Sequence, residues 1–161
     1  MKIEPDRTTL GLISDTHGLL RVSVHEAFRG VDLILHAGDV GGDEILAELR
    51  LIAPVHAVRG NTDDIDDPAL AEEFTVEVGG MSLHMSHGHE AGSPTAEKLL
   101  ALYPQQILIY GHTHRQLVSR VDGRLVINPG AAGPRRFDLT ASVARLTVTA
   151  GAAEVEIVPI D

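Results

Sequence analysis

The chain contains no cysteine. Disulfides and thiolate metal sites are therefore excluded, and the composition suits a reducing compartment. Tryptophan is also absent, and aromatic residues make up only 3% of the 161 positions, which leaves few platforms for stacking nucleobases. Basic residues are few: 13 lysines and arginines stand against 23 acids, a formal net charge of −10. Proteins that grip a nucleic-acid backbone use clustered basic side chains, so no extended nucleic-acid binding is expected. No apolar run approaches the roughly 18–20 residues of a membrane helix, so no membrane association is expected. The opening MKIEPDRTTL has no signal-type apolar stretch, and a cytoplasmic protein is expected. An acidic protein can still receive phosphates where bound cations supply the positive charge.

What the chain does have is histidine, nine in all. Histidine is the commonest side-chain metal ligand and a frequent general acid or base, so placement matters more than number. Residues 1–161 are read as one domain, with 43% hydrophobic and 22% charged residues. Thr8–Ser14, Asp32–His36, Pro54–Val58 and Gln106–Tyr110 read as buried strands. Phe74–Val78 and Met81–Met85 flank Gly79-Gly80 as a hairpin, as Leu117–Val121 and Arg124–Ile127 flank Asp122-Gly123. Ala141–Thr149 and Glu154–Ile160 read as two further strands. Helices are expected at Val22–Phe28, at Asp43–Leu51, and from a Ser93 cap with Pro94 in the first turn through Leu102. Strands alternate with helices early and pair as hairpins late, which predicts a layered α/β domain with a mixed sheet or two stacked sheets.

Strand-like runs repeatedly end in loops rich in Asp, His and Asn: Asp15-Thr-His17, Gly38-Asp39, Gly60-Asn61, His87-Gly-His89 and Gly111-His112-Thr-His114. Sites in α/β sheets gather outside the carboxyl ends of strands, so five loops can converge on one place. Asp15, His17, Asp39, Asn61, His87, His112 and His114 offer nitrogen and oxygen donors without thiolate. That set suits Mn, Fe, Zn, Ni or Co better than Ca or Mg. Seven donors exceed one tetrahedral ion, whereas a bridging carboxylate would divide them into two sets of four. Two divalent ions beside two aspartates would leave a charge of about +2 to receive a phosphate.

The ordered set D-x-H, GD, GN, HGH and GHTH resembles the calcineurin-like metallophosphoesterases. The fuller strings LISDTHG, ILHAGD, SHGH, IYGHTH and INPG resemble the small YfcE-like phosphodiesterase branch, which also includes the retromer phosphatase-like subunit. The resemblance implies a four-layer αββα sandwich, two mixed sheets flanked by helices. It implies a first metal held by Asp15, His17, Asp39 and His114, and a second held by Asp39, Asn61, His87 and His112, with Asp39 bridging. The implied cofactors are two divalent transition-metal ions, manganese before nickel, zinc, iron or cobalt. The implied reaction is phosphodiester hydrolysis by in-line attack of a metal-bridging hydroxide on a small phosphodiester substrate. Alternatives are a phosphomonoesterase, a nuclease, or a non-catalytic protein-binding scaffold on the same fold, and the sequence admits a homo-oligomer.

Many relatives carry histidine directly after the asparagine, where it is assigned to protonating the leaving oxygen or steadying the transition state. Here that position is Thr62, whose hydroxyl is far too weak an acid for the task. His89 is the candidate replacement and joins Asp39 and Asn61 as a candidate catalytic residue, although a metal-bound water could also serve. His36 is either a hydrogen-bond partner of a ligand or a strand-end residue, and Asn128 either supports the site or makes a turn. His25 and His56 are read as structural, His84 as pointing off the apolar face of its strand. Asp63 and Asp64 are read as loop or supporting residues, Arg135 and Arg136 as solvated charge.

Overall fold

Apolar residues alternate between two covered faces along most strands, and this builds the layers. A computed structural model describes residues 2–3, 6–136 and 138–161. In chain order the elements are β1 (Lys2–Ile3), β2 (Arg7–Ile13), α1 (Ser23–Ala27), β3 (Leu33–His36), α2 (Asp43–Arg50), β4 (Val55–Ala57), β5 (Glu73–Val78) and β6 (Met81–Ser86). A 3-10 turn at His89–Ala91 precedes α3 (Ala96–Leu102), β7 (Ile107–Ile109), β8 (Leu117–Val121), β9 (Arg124–Asn128), β10 (Ser142–Thr149) and β11 (Ala152–Pro159). The strands form a six-stranded sheet, ordered β1-β5-β6-β7-β9-β8, and a five-stranded sheet, ordered β11-β10-β2-β3-β4.

Leu10, Leu12, Leu33, Leu35 and Leu146 from the five-stranded sheet meet Leu83, Met85, Ile107, Ile109, Leu125 and Ile127 from the other. The intervening residues point outward. Ile13, Ile34 and Val143 pack under Val24, Phe28, Ile45, Leu46 and Leu49 of α1, α2 and their flanks, while Leu108 and Val126 pack under Leu99 of α3. Helices therefore cover both outer faces, giving the αββα layering and the two mixed sheets that the motif resemblance implies.

Both anticipated hairpins close through two residues of positive φ, Gly79-Gly80 and Asp122-Gly123, a backbone twist that matches the flanking strands. The third helix begins later than the sequence suggests. Thr95, not Ser93, is its cap: Thr95 is extended and its side chain accepts the Lys98 N–H at 3.2 Å. Ser93 instead offers its carbonyl to the Lys98 ammonium at 3.0 Å. β1, too short to show a period, pairs in parallel with β5. Among the described residues, no helix is long and apolar enough to cross a membrane.

The five Asp/His/Asn loops follow β2, β3, β4, β6 and β7. In their sheets β2, β3 and β4 run parallel, as do β6 and β7, so these carboxyl ends open towards one end of the sandwich.

Candidate metal centre

The loop after β2 is laced to its neighbours through backbone bonds. Asp15, His17 and Gly18 donate their N–H groups to the carbonyls of Gly38, Asp39 and Val40 at 2.9, 2.9 and 3.0 Å. On the other side Ala132 and Gly133 donate to the carbonyls of Ser14 and Asp15. Held this way, the backbone adopts conformations that local preference disfavours. Asp15, His17, Asp39, His112 and His114 all have positive φ, between 46° and 70°. Among the described residues the other non-glycine cases are Asp122 and Ala150, both at hairpin tips. Such strain gathers at functional sites and persists where the surroundings impose it.

The seven side chains meet. His17 Nε2 lies 3.7 Å from Asp15 Oδ1 and 3.4 Å from His114 Nε2, and His114 Nε2 lies 3.4 Å from Asp15 Oδ1. His87 Nε2 is 3.2 Å from Asp39 Oδ2, while His112 Nδ1 is 3.3 Å from His87 Nε2 and 3.1 Å from Asn61 Oδ1. Asp39 Oδ2 also lies 3.7 Å from His17 Nε2, so one carboxylate oxygen faces both groups of histidines. Its other oxygen accepts the Thr62 N–H at 2.9 Å, which fixes the carboxylate plane.

This donor set fits cations on its own chemistry. Asp15 is fully buried, and its Oδ1 has no hydrogen-bond partner although imidazole nitrogens surround it. A buried carboxylate oxygen left unpaired is costly, and a cation would satisfy it. His87 Nδ1 donates to the Ala37 carbonyl at 2.8 Å, which leaves Nε2 as the lone pair aimed into the cluster. Burial works against the Asp15 charge, but His114 and His17, with His87 and Ser14, hold its carboxyl well below the usual range. Asp39 is likewise lowered to about 2: burial opposes this, and His87 and Thr62 outweigh it. The Asp15 carboxylate raises His17. Burial lowers His87, but Asp39 and Asp15 outweigh it and raise it; burial and the neighbouring His87 lower His112. Protons and cations therefore compete for the same nitrogens.

Glycine is required where these loops touch. A Cβ on Gly60 would lie 2.0 Å from Asp39 Oδ1 and 2.3 Å from the Asp39 backbone nitrogen. Asp63, read from sequence as a supporting residue, accepts backbone N–H bonds from Val40, Gly41 and Gly60 at 2.9, 3.2 and 2.9 Å. It joins the Asp39 loop to the Asn61 loop. Asn128 does the same for the histidine pair, donating to the Gly111 carbonyl and Thr113 Oγ1, both at 3.1 Å, while accepting from Gly130. It thus both supports the site and makes a turn. Ser14 and Arg21 drew no notice in the sequence. Ser14 donates to Asp15 Oδ2 at 2.6 Å, and Arg21 holds the carbonyls of Ala132 and Gly133. Position beside Asp15 was the available signal for Ser14; Arg21 offered none.

His36 makes its hydrogen bonds to Thr16 and Gly38, not to any of the seven. It is fully buried; its Nδ1 accepts the Gly38 N–H at 3.1 Å, so Nε2 carries the proton and donates to Thr16 Oγ1 at 3.0 Å. Thr16 in turn donates to the Val40 carbonyl at 2.7 Å. Burial lowers the His36 pKa to about 4, so the folded protein keeps it neutral while the unfolded chain protonates near 6.5. Its contribution to stability is complete above about pH 6.5 and is lost as pH falls towards about 4. The stability advantage of the wild type over His36→Gln should shrink by about 3 kcal/mol across that interval in chelator-treated protein. Urea unfolding at several pH values checks this; a difference independent of pH would count against a neutral buried imidazole.

His89 stands exposed at the rim, its ring 5.4 Å from that of His87 and 6.3 Å from that of His112. His84 points off the inter-sheet face, as alternation indicates, yet it is buried: Tyr103 stacks on it at 3.7 Å and Glu73 lies 3.1 Å from its Nε2. His25 pairs with Glu48 at 3.0 Å and His56 stacks on Phe74, both away from the cluster. Arg135 and Arg136 are exposed.

Comparisons with known proteins identify the family. Residues 9–151 match the family model of the calcineurin-like phosphoesterase superfamily domain. A probable metallophosphoesterase of Methanothermobacter thermautotrophicus is 35% identical, over 85% of each chain. A phosphodiesterase of Methanocaldococcus jannaschii is 30% identical, over 75% of this chain and 82% of its own. Among solved structures, Vacuolar Protein Sorting 29 from Cryptosporidium parvum superposes with a TM-score of 0.81 at 21% identity, over 96% of this chain and 98% of its own. An Entamoeba histolytica Vps29 complexed with zinc gives 0.76 at 24% identity, over 95% and 99%. These structural likenesses speak to the fold, while the family match and the archaeal relatives carry the assignment: the chain belongs to the calcineurin-like phosphoesterase superfamily.

Proposed function

We propose that the chain is a phosphodiesterase working with two divalent transition-metal ions, manganese foremost, on a small phosphodiester. One observation carries this reading: Asp39 Oδ2 lies between two groups of donors, with His17 on one side and His87 on the other. Asp15, His17, Asp39 and His114 would hold one ion; Asp39, Asn61, His87 and His112 would hold the second. When bound, two such ions supply a nucleophilic water near neutral pH and positive charge for the phosphoryl oxygens. Support for the diesterase preference comes from the relative named as a phosphodiesterase.

The chain's own residues orient and shield this chemistry. The Ala37 carbonyl selects the His87 tautomer, the Thr62 N–H fixes the plane of Asp39, and the buried Asp15 excludes water beneath the cluster. His89, at the rim, is proposed to contact an ester oxygen of the substrate rather than to supply the strong acid that is missing at position 62. A scaffold without catalysis has no physical use for four imidazoles facing one another without a metal, since protonating any of them sets it against its neighbours.

Metal-free protein reconstituted separately with Mn, Ni, Zn and Mg should hydrolyse a phosphodiester panel, fastest with manganese. Because Thr62 is not an acid, rates across a leaving-group series should fall steeply as leaving-group pKa rises. Thr62→His should flatten that slope, most visibly for alkyl esters. A flat dependence in the wild type, with chemistry rate-limiting, would remove the case for a missing strong acid. Absence of turnover with every metal would overturn the enzyme reading.

A further inference from the structure

A cavity of about 220 Å³ opens beside the donor cluster, lined by Arg59, Glu72, Glu73, His89, Glu90 and Tyr103. Two of its walls belong to loops that carry candidate ligands. Arg59 precedes Gly60-Asn61, and His89 and Glu90 follow His87. His89 joins the two spaces: it lines the cavity while its ring lies 5.4 Å from that of His87. A second cavity, along Thr62, Asp63 and Asp67, has no histidine in its lining.

Size and hydrogen-bonding capacity together restrict the occupant. Pockets for drug-sized ligands run from roughly 300 to 1,000 Å³, so this one suits an alcohol of a few carbons rather than a nucleoside. Two of the donors among the lining residues are turned onto carboxylates of the same wall. Arg59 donates to Glu72 at 2.9 Å, and the Tyr103 hydroxyl donates to Glu90 at 2.6 Å. Glu90 also accepts the Gly88 N–H at 2.9 Å, and Glu73 lies 3.1 Å from His84 Nε2. The carboxylates are thereby held in place, with further lone pairs left to accept bonds. Three carboxylates and one guanidinium line the cavity, a balance that repels an anion and favours a ligand that donates hydrogen bonds.

Building on the phosphodiesterase reading, we propose that this cavity receives the second alcohol of the diester and selects a small donor-rich one, a polyol or an amino alcohol. Because His89 lines the cavity and its ring stands 5.4 Å from that of His87, an alcohol held there would lie beside a phosphate at the donor cluster. The exposed side chains of Glu72 and Glu73, 82% and 60% accessible, can be neutralised without touching a candidate metal ligand.

The test uses manganese-loaded protein and p-nitrophenyl phosphodiesters that share a leaving group and differ in the second ester: methyl, glyceryl, 2-aminoethyl or 2-phosphoethyl. The glyceryl or aminoethyl ester, or both, should exceed the methyl ester about 10-fold in kcat/KM, mainly through KM, with the phosphoethyl ester at or below methyl. A gain for glyceryl alone identifies a polyol; a gain for aminoethyl alone identifies an amino alcohol. In Glu72→Gln/Glu73→Gln the methyl ester should be unchanged and the preference should fall to within about 2-fold. Equal turnover of all four esters by the wild type overturns the assignment, as does a preference that survives in the double variant. Loss of turnover for every ester instead overturns the phosphodiesterase reading on which it rests.

Discussion

Replacing Asp39 with alanine should reduce kcat/KM by about 1,000-fold or more and lower bound metal from the proposed two ions per chain to one or none. The carboxylate is 3% exposed and ionised well into the acid range, so its charge is present whenever the protein is folded near neutrality. Its Oδ2 is the oxygen that faces both histidine groups. Asp39→Asn separates charge from scaffolding. The asparagine can still accept the Thr62 N–H, so the loop stays in place, but the bridging anion is gone. If bridging is the role, both variants lose metal and activity to a similar degree. If Asp39 only shapes the loop, Asp39→Asn recovers most of both. Elemental analysis after dialysis, paired with steady-state kinetics, decides the matter, and unchanged metal content in the alanine variant would refute the bridging assignment.

Gly60→Ala should be nearly as damaging although it removes no ligand. The added methyl would fall 2.0 Å from Asp39 Oδ1 and 2.3 Å from the Asp39 nitrogen, and a backbone atom cannot turn away as a flexible side chain can. The loop carrying Asn61 must shift instead, stretching the Gly60 N–H bond to Asp63. Overpacking of this kind costs about 1–3 kcal/mol of stability, and a displacement of about 1 Å in a reacting group can cost about 100-fold in rate. Gly80→Ala is the matched control. Gly80 has positive φ but nothing within 4 Å of the added carbon, so stability should fall modestly and activity should persist. Wild-type kinetics in Gly60→Ala would show that the close approach is unimportant to the site.

The layers were legible because short strands such as TTLGLIS carry apolar residues on both faces, a pattern that requires cover from both sides. The converging loops were legible because each pairs a strand end with metal-binding chemistry. What escaped depends on contacts distant in sequence. Alternation placed His84 on the outer face of β6 but could not show that Tyr103, 19 residues on, would cover it. The bond from His36 at the end of β3 to Thr16, and the grip of Asp63 on Val40 and Gly41, likewise join segments distant in sequence. Positive φ at Asp15, His17, Asp39, His112 and His114 has only a faint local signal, the tolerance of Asp and His for that region. Thr95 rather than Ser93 caps the helix because its hydroxyl is the one that reaches the open Lys98 N–H.

The division of the candidate ligands between the sheets has a mechanical consequence. Asp15, His17, Asp39 and Asn61 extend from the five-stranded sheet, while His87, His112 and His114 extend from the six-stranded one. Between those sheets lie only side chains such as Leu12, Leu35, Met85 and Ile109. The donor cluster thus acts as a caliper across the sandwich, and its spacing reports any slip of one sheet over the other. Repacking deep in that seam, far from any loop, would be registered at the site as a change in the fit between the two halves of the cluster.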